Sequence, residues 1–393
     1  MGDTVKRFVN CRQCIGGSLV DRDLCVSVET GRILEQDYSG AAEEVDLQGA
    51  IISPGFLEVQ TNGLIGFHFT HYENDEQYLT QLRRVSEYLV STGVTGYYPT
   101  VPTVSAENFQ KILPSLKPRS FPNGADVLGA HAEGPFLAAS RKGAHNEKLL
   151  HVPAQDSAET VYGAENLQKS VKIVTIAPEL EGSTATISSL RHDYDIRVSL
   201  GHSAADYDTG VAGLDAGATM VTHIFNGMNP LHHRNPGLAG LTTSPPKPFY
   251  SVIPDGVHVH AAPLAMAYRA NPTRCIVITD SIELAGLPDG HHPGHAQIPQ
   301  GQRKQGNKAT IEGTDTIIGS CVTLDECLRN LIQWTGCSVA EAVRCVTENV
   351  VELTGDQERG KLLPGRRADL VVLDDAGTVL QSWMRGKQVY AAT

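Results

Sequence analysis

Glu133, His202 and His223 each stand at the end of a short apolar run, in VLGAHAEGPF (127–136), RVSLGHS (197–203) and TMVTHIFNGMNP (219–230). One carboxylate and two imidazoles, delivered by three separate strand ends, can meet at a point only if those strands lie side by side. Together they form the donor set of a catalytic divalent-metal site: three protein ligands and an open position for water. Asp280 repeats the pattern in CIVITDS (275–281) and would supply a general base. Taken singly, a His or Glu after a strand is an ordinary loop residue, and an Asp before Ser is an ordinary helix cap. Four such residues in matching positions point to shared chemistry.

A parallel sheet is what would bring them together. Apolar runs occur near 51–57, 95–99, 126–131, 171–177, 196–200, 219–223, 250–254 and 275–279, with helix-like segments between most of them. Residues 75–92 have apolar residues at helical spacing and stop before Gly93; 204–216 stop before Gly217; 322–334 and 338–353 read as two late helices. Eight strands alternating with helices predict an α/β fold, a (β/α)8 TIM-type barrel whose active site lies at the C-terminal strand ends. The two chain ends break the alternation. Residues 5–50 hold short β-like runs with turn signals. Near the other end DLVVLD reads as a strand, Asp375-Ala376-Gly377 as a turn and TVLQSWM as the partner strand. The expectation is a barrel over 51–355 beside a small β-sandwich built from 1–50 and 356–393. Residues 281–319, rich in Gly, Pro and His, follow the last barrel strand and could cover the site.

Of 393 residues, 41% are hydrophobic and 19% charged, a composition that supports a sizeable core. The net charge of −12 and the lack of a Lys/Arg run argue against nucleic acid and anionic membrane as partners. The N-terminal residues have no apolar stretch able to span a bilayer, and Gly2 lacks the Ser/Thr that acylation wants. Eight scattered cysteines fit a reducing, cytoplasmic setting. Cys11 and Cys14 form a CxxC with no second pair at zinc-ribbon spacing, and read as structural thiols.

The motifs PGFLEVQTNG, HAEGPF, KGAHNEK, SLGHS, THIFNGMNP, DGVHV, TDS and GSCVTLDE, in that order, resemble those of the N-acetylglucosamine-6-phosphate deacetylases of the amidohydrolase superfamily. The resemblance runs from about residue 50 to 370 and includes the closing PGRRADLVVLD. It implies a metal-bearing barrel with a terminal β-sandwich, a homodimer, and hydrolysis of the acetamide of N-acetylglucosamine 6-phosphate. Carried over residue by residue, it implies that Glu133, His202 and His223 hold one divalent ion per subunit. Zn2+ comes first, and Co2+, Fe2+ or Mn2+ is also admissible. Asp280 would act as base and then acid. His145, with Ala144 beside it, would contact the substrate and polarise its carbonyl. Arg234 would reach the phosphate in the partner subunit's active site, and Asp255 and His258 would serve the phosphate or sugar. Ile317, Ile318 and Gly319 would close over the sugar. Asn226 and Gly227, just after His223, would face the same pocket.

Two motifs mislead. His131-Ala132-Glu133 imitates the H-x-E of zinc deaminases but lacks the later P-C-x-x-C. His258-Val259-His260 imitates a metal-binding His-x-His but lies too late in the chain. On the first strand, Glu58 and Gln60 stand where many amidohydrolases carry that His pair, which predicts one metal, with Gln60 at most touching it through water. The alternatives are a different mononuclear amidohydrolase, acting on cyclic amides or as a deaminase, and a barrel that has lost its metal.

Overall fold

The computed structural model describes residues 4–245, 247–294 and 300–392. Gly2 and residues 295–299 of the 281–319 segment lie outside the described residues.

Eight strands pair in parallel, each with the next in chain order: Phe56–Thr61, Val94–Pro102, Ala130–Glu133, Val171–Ile176, Arg197–Leu200, Met220–Val221, Phe249–Val252 and Cys275–Val277. Phe56–Thr61 is buried at every position, and Phe249–Val252 and Cys275–Val277 likewise. Such strands are covered on both faces, which is why they read as continuous apolar runs rather than alternating ones. The sheet curls until its first and last strands approach. Asp280 N donates to Gln60 O at 2.9 Å, and Asn62 N donates to Ser281 O at 2.6 Å.

Two of the runs each contain two strands. Ile51–Pro54 and Phe56–Thr61 are separated by Gly55, and the first of them joins a different sheet. The 126–131 run is also two, Gly124–Val127 and Ala130–Glu133, which pair with successive stretches of Val94–Pro102.

Helix Asp75–Leu89 follows its sequence signals. Asn74 caps it by accepting from Gln77 N, the buried face is Tyr78, Leu82, Val85, Ser86 and Leu89, and a 3-10 turn delivers the chain to Gly93 at φ 79°. The segment 204–216 starts its helix later, at Tyr207, under an Asp206 cap. Residues 338–353 form two helices, Val339–Arg344 and Glu348–Thr354. The break has a tertiary cause: it frees Val346 O to accept from Leu57 N at 2.8 Å and Cys345 O to accept from Val277 N at 3.1 Å. The start of the first parallel strand and the end of the last are thereby tied to the same joint.

Both chain ends share a six-stranded sheet, in the order Lys387–Ala391, Val379–Met384, Leu370–Leu373, Ile51–Pro54, Arg12–Ile15, Ser18–Asp21. A second sheet holds Arg32–Ile33, Leu24–Ser27, Val5–Val9 and Glu43–Asp46. One apolar cluster, including Phe8, Val26, Ile52, Leu370 and Trp383, draws on both sheets. The Phe8 and Trp383 rings meet edge-on at 5.0 Å. Buried Asp126 accepts from Arg359, Arg367 and Arg385, at 2.8, 2.6 and 3.1 Å, and fastens the parallel sheet to the C-terminal segment. After the last parallel strand, Gly290–His292, Gln302–Gln305, Lys308–Ile311 and Ile317–Ser320 make a separate antiparallel sheet. No helix of the described residues is long and apolar enough to cross a membrane.

Candidate active site

Glu133 is the last residue of its strand, while His202, His223 and Asp280 follow theirs by two or three residues. At these three the backbone turns into the left-handed region, with φ of 46°, 27° and 47°. Such a turn ends the strand and brings the side chain over the ring of strand ends. It costs a non-glycine residue about 1–2 kcal/mol, so local bonds must hold it. Ser203 N bonds Gly227 O at 2.9 Å, and His223 N bonds Ser251 Oγ at 2.7 Å.

The three side chains converge. Glu133 Oε1 lies 3.2 Å from His202 Nε2 and 3.0 Å from His223 Nε2, and the two Nε2 atoms are 3.1 Å apart. Among the described residues this buried group could hold a metal ion. His202 Nδ1 faces the carbonyl of Arg141 at 2.9 Å. A carbonyl only accepts, so Nδ1 carries the proton and Nε2 turns a lone pair toward Glu133. A lone pair against a carboxylate oxygen repels unless a cation lies between them. The donor set therefore fits a divalent ion.

Asp280 is raised above the ordinary carboxylate range by burial and by the nearby charge of Glu133, as suits a proton acceptor. Asn62 Nδ2 steadies it, donating to Asp280 Oδ1 at 2.7 Å. Thr103 N donates to His145 Nδ1 at 3.2 Å, which leaves the proton of His145 on Nε2, 4.0 Å from Glu133 Oε2. Burial, then the neighbouring His202, pushes His145 down to about 3. It is a neutral donor, not a cation.

That shift has a measurable consequence. Between about 3 in the folded chain and about 6.5 unfolded, only the unfolded chain binds the proton. The contribution of His145 to stability is fully present above about pH 6.5 and is lost as pH falls toward 3. His145→Gln should therefore flatten the acid side of the stability curve. Melting curves of metal-free protein between about pH 4 and 7 check this; an unchanged slope would contradict it.

The four strand-end residues open on a cavity of about 650 Å³ that Ala144, His145, Asn226, Gly227, His258, Ile317, Ile318 and Gly319 also line. Asp255 stands behind this wall. Its Oδ2 takes His258 Nδ1 at 2.6 Å and its Oδ1 takes the backbone N–H groups of Val257 and His258. Arg234 is not among the lining residues of its own chain; it sits on an exposed loop.

The first strand corrects one expectation. Gln60 Nε2 does reach Glu133 Oε1, at 2.8 Å, and it lies 3.4 Å from Asp280 Oδ1. Glu58, however, lies a layer deeper. Its two oxygens accept from Gln60 N at 3.0 Å and Thr279 N at 3.1 Å, and burial raises its carboxyl to about 8. The side chains of this strand that bond Glu133 and Asp280 at 2.8 and 2.7 Å are Gln60 and Asn62. The sequence reading passed over Asn62 and Thr103; Asn62 continues the every-second-residue face of Glu58 and Gln60. Of the misleading motifs, His131 fills the core with both ring nitrogens bonded, to Val59 O and Thr175 Oγ1. His260 caps the exposed start of helix Ala261–Ala270.

No family model matches the chain. It is 39% identical over 402 residues to the N-acetylglucosamine-6-phosphate deacetylase of Rattus norvegicus, covering 99% of this chain and 96% of that one. Against the protein of the same name from Homo sapiens it is 38% identical, covering 100% and 97%. A solved structure of a variant N-acetyl-D-glucosamine-6-phosphate deacetylase from Mycobacterium smegmatis, in complex with N-acetyl-D-glucosamine-6-phosphate, superposes with a TM-score of 0.84. It is 27% identical and covers all of both chains.

Proposed function

The chain belongs to the N-acetylglucosamine-6-phosphate deacetylase family of the amidohydrolase superfamily, and from that premise we propose how its residues divide the work. The reaction is hydrolysis of the acetamide of N-acetyl-D-glucosamine 6-phosphate to D-glucosamine 6-phosphate and acetate, a step of amino-sugar catabolism. The observation that carries this assignment is the meeting of Glu133 Oε1 with two imidazole nitrogens within about 3 Å, beside a buried Asp280.

Glu133, His202 and His223 would hold a divalent ion, which when bound supplies Lewis acidity for an activated water and a polarised carbonyl. Asp280 takes the proton from the attacking water and returns it to the departing amine; one carboxylate serves both if it reaches both atoms. His145, fixed as the Nε2–H tautomer, donates to the acetamide oxygen as charge builds there. Asn226, Gly227 and His258 bind the sugar phosphate, with Asp255 aiming His258. Ile317–Gly319 and Ala144 close the cavity around it. Gln60 and Asn62 give amide groups where a second ion would need imidazoles. Elemental analysis after dialysis should therefore give about one equivalent per subunit, Zn2+ being the first candidate. Two tightly held equivalents would overturn the mononuclear assignment.

The same reading closes the eight parallel strands into a (β/α)8 barrel over 51–355. It joins 1–50 and 356–393 as a β-sandwich and places the enzyme in the cytoplasm as a homodimer. Support comes from the backbone bonds between Gln60–Asn62 and Asp280–Ser281, the apolar cluster common to both terminal sheets, and eight free thiols. In the dimer Arg234, exposed in its own chain, reaches the phosphate of the partner subunit's substrate. Arg234→Ala should raise KM for the phosphorylated sugar far more than for the free sugar. Mixing it with Asp280→Asn should restore some activity in hybrid dimers. Equal KM changes on both sugars would reject the phosphate role. Acetate release from N-acetylglucosamine 6-phosphate, set against its unphosphorylated form, tests the function as a whole.

A further inference from the structure

Arg141 and Asn229 take no part in the roles above, yet they are bonded to each other beside His202. Arg141 Nε and Nη2 both donate to Asn229 Oδ1, at 3.1 and 2.5 Å. The carbonyl of the same Arg141 accepts from His202 Nδ1 at 2.9 Å. Asn229 Nδ2 donates to Ala204 O at 2.8 Å, two residues past His202. On the other side Glu179 accepts from Ser203 Oγ at 2.7 Å and from Ala204 N at 2.5 Å. His202 is thus gripped at its ring and along the backbone that follows its left-handed turn.

A backbone carbonyl orients an imidazole only while its own segment stays in place. Ala139–Arg141 is a single 3-10 turn with no buried residue. Packing therefore does little to hold it, and the guanidinium–Asn229 contact is a bond that fastens this turn to the loop after the sixth strand.

We propose that Arg141 and Asn229 form a positioning clasp for the metal site, holding the Arg141 carbonyl on His202 Nδ1 so that Nε2 keeps its lone pair toward Glu133 and His223. The clasp rests on the assignment of those three residues as metal ligands. Neither clasp residue is among those lining the cavity. Both act through His202, and the clasp joins the loop that carries His145 to the loop that carries Asn226 and Gly227.

Losing an outer partner of a ligating histidine typically costs about 10–100-fold in metal affinity. The test is competition between the full-length metal-free protein and a fluorescent Zn2+ chelator, with no turnover measured. Arg141→Ala and Asn229→Ala should each weaken Zn2+ binding by roughly that factor, and the double variant should be no weaker than the worse single one. Arg141→Lys, which still offers one donor to Asn229, should recover part of the loss and guards against an Ala variant that fails to fold. Unchanged Zn2+ affinity in the single variants, or strictly additive losses, would overturn the clasp. Wild-type protein that binds no Zn2+ would instead bring down the metal assignment, and the clasp with it.

Discussion

Alanine in place of Glu133, His202 or His223 will remove bound metal and activity together while leaving the fold intact. Each supplies one of three donor atoms at a point where Glu133 Oε1 and two Nε2 atoms are mutually within 3.2 Å. With two donors left, an ion is held weakly. The Lewis acidity that goes with it is worth several kcal/mol of transition-state stabilisation, roughly three or more orders of magnitude in rate. The backbone bonds that shape these strand ends do not run through the substituted side chains. Circular dichroism should therefore be unchanged while elemental analysis shows the ion gone. Three variants that keep both stoichiometric metal and turnover would show that the centre lies elsewhere.

Asp280→Asn should behave differently: metal retained, substrate bound, and kcat lower by roughly 10²–10⁴-fold, the usual worth of a general acid–base group. Asn is close in shape and tolerates left-handed backbone as Asp does, so φ 47° at this position need not change. What disappears is the proton acceptor. Asn62 Nδ2, which donates to Asp280 Oδ1 at 2.7 Å, can still meet an amide oxygen there. The split between binding and turnover is the diagnostic. If kcat stays near the wild-type value, the base is another group. If metal is lost as well, Asp280 is a ligand rather than a base.

The four strand-end residues were legible because the strands that carry them are buried on both faces and so stand out as apolar runs. What the residues could not reveal came from partners distant in sequence. Ile51–Pro54 and Phe56–Thr61 are both buried, one in the terminal sheet and one in the parallel sheet, so no change of polarity marks the break at Gly55. The joint after Arg344 exists because two strand N–H groups need the carbonyls of Cys345 and Val346. Glu58, Gln60 and Asn62 share a face by alternation, but height along that face decides which of them meet Glu133 and Asp280, and height depends on how neighbouring strands stagger. The role proposed for Arg234 would rest on a second chain, about which one sequence says little without the family resemblance.

The left-handed turns at His202, His223 and Asp280 also bear on how such a gene would decay. At His202 and His223 the turn holds a side-chain-bearing residue where glycine would be more at ease, at about 1–2 kcal/mol of backbone strain. A copy released from selection for turnover would gain stability most readily by mutating these same positions, so inactivation and stabilisation would arrive together. This chain carries His, His and Asp at all three, alongside Glu133.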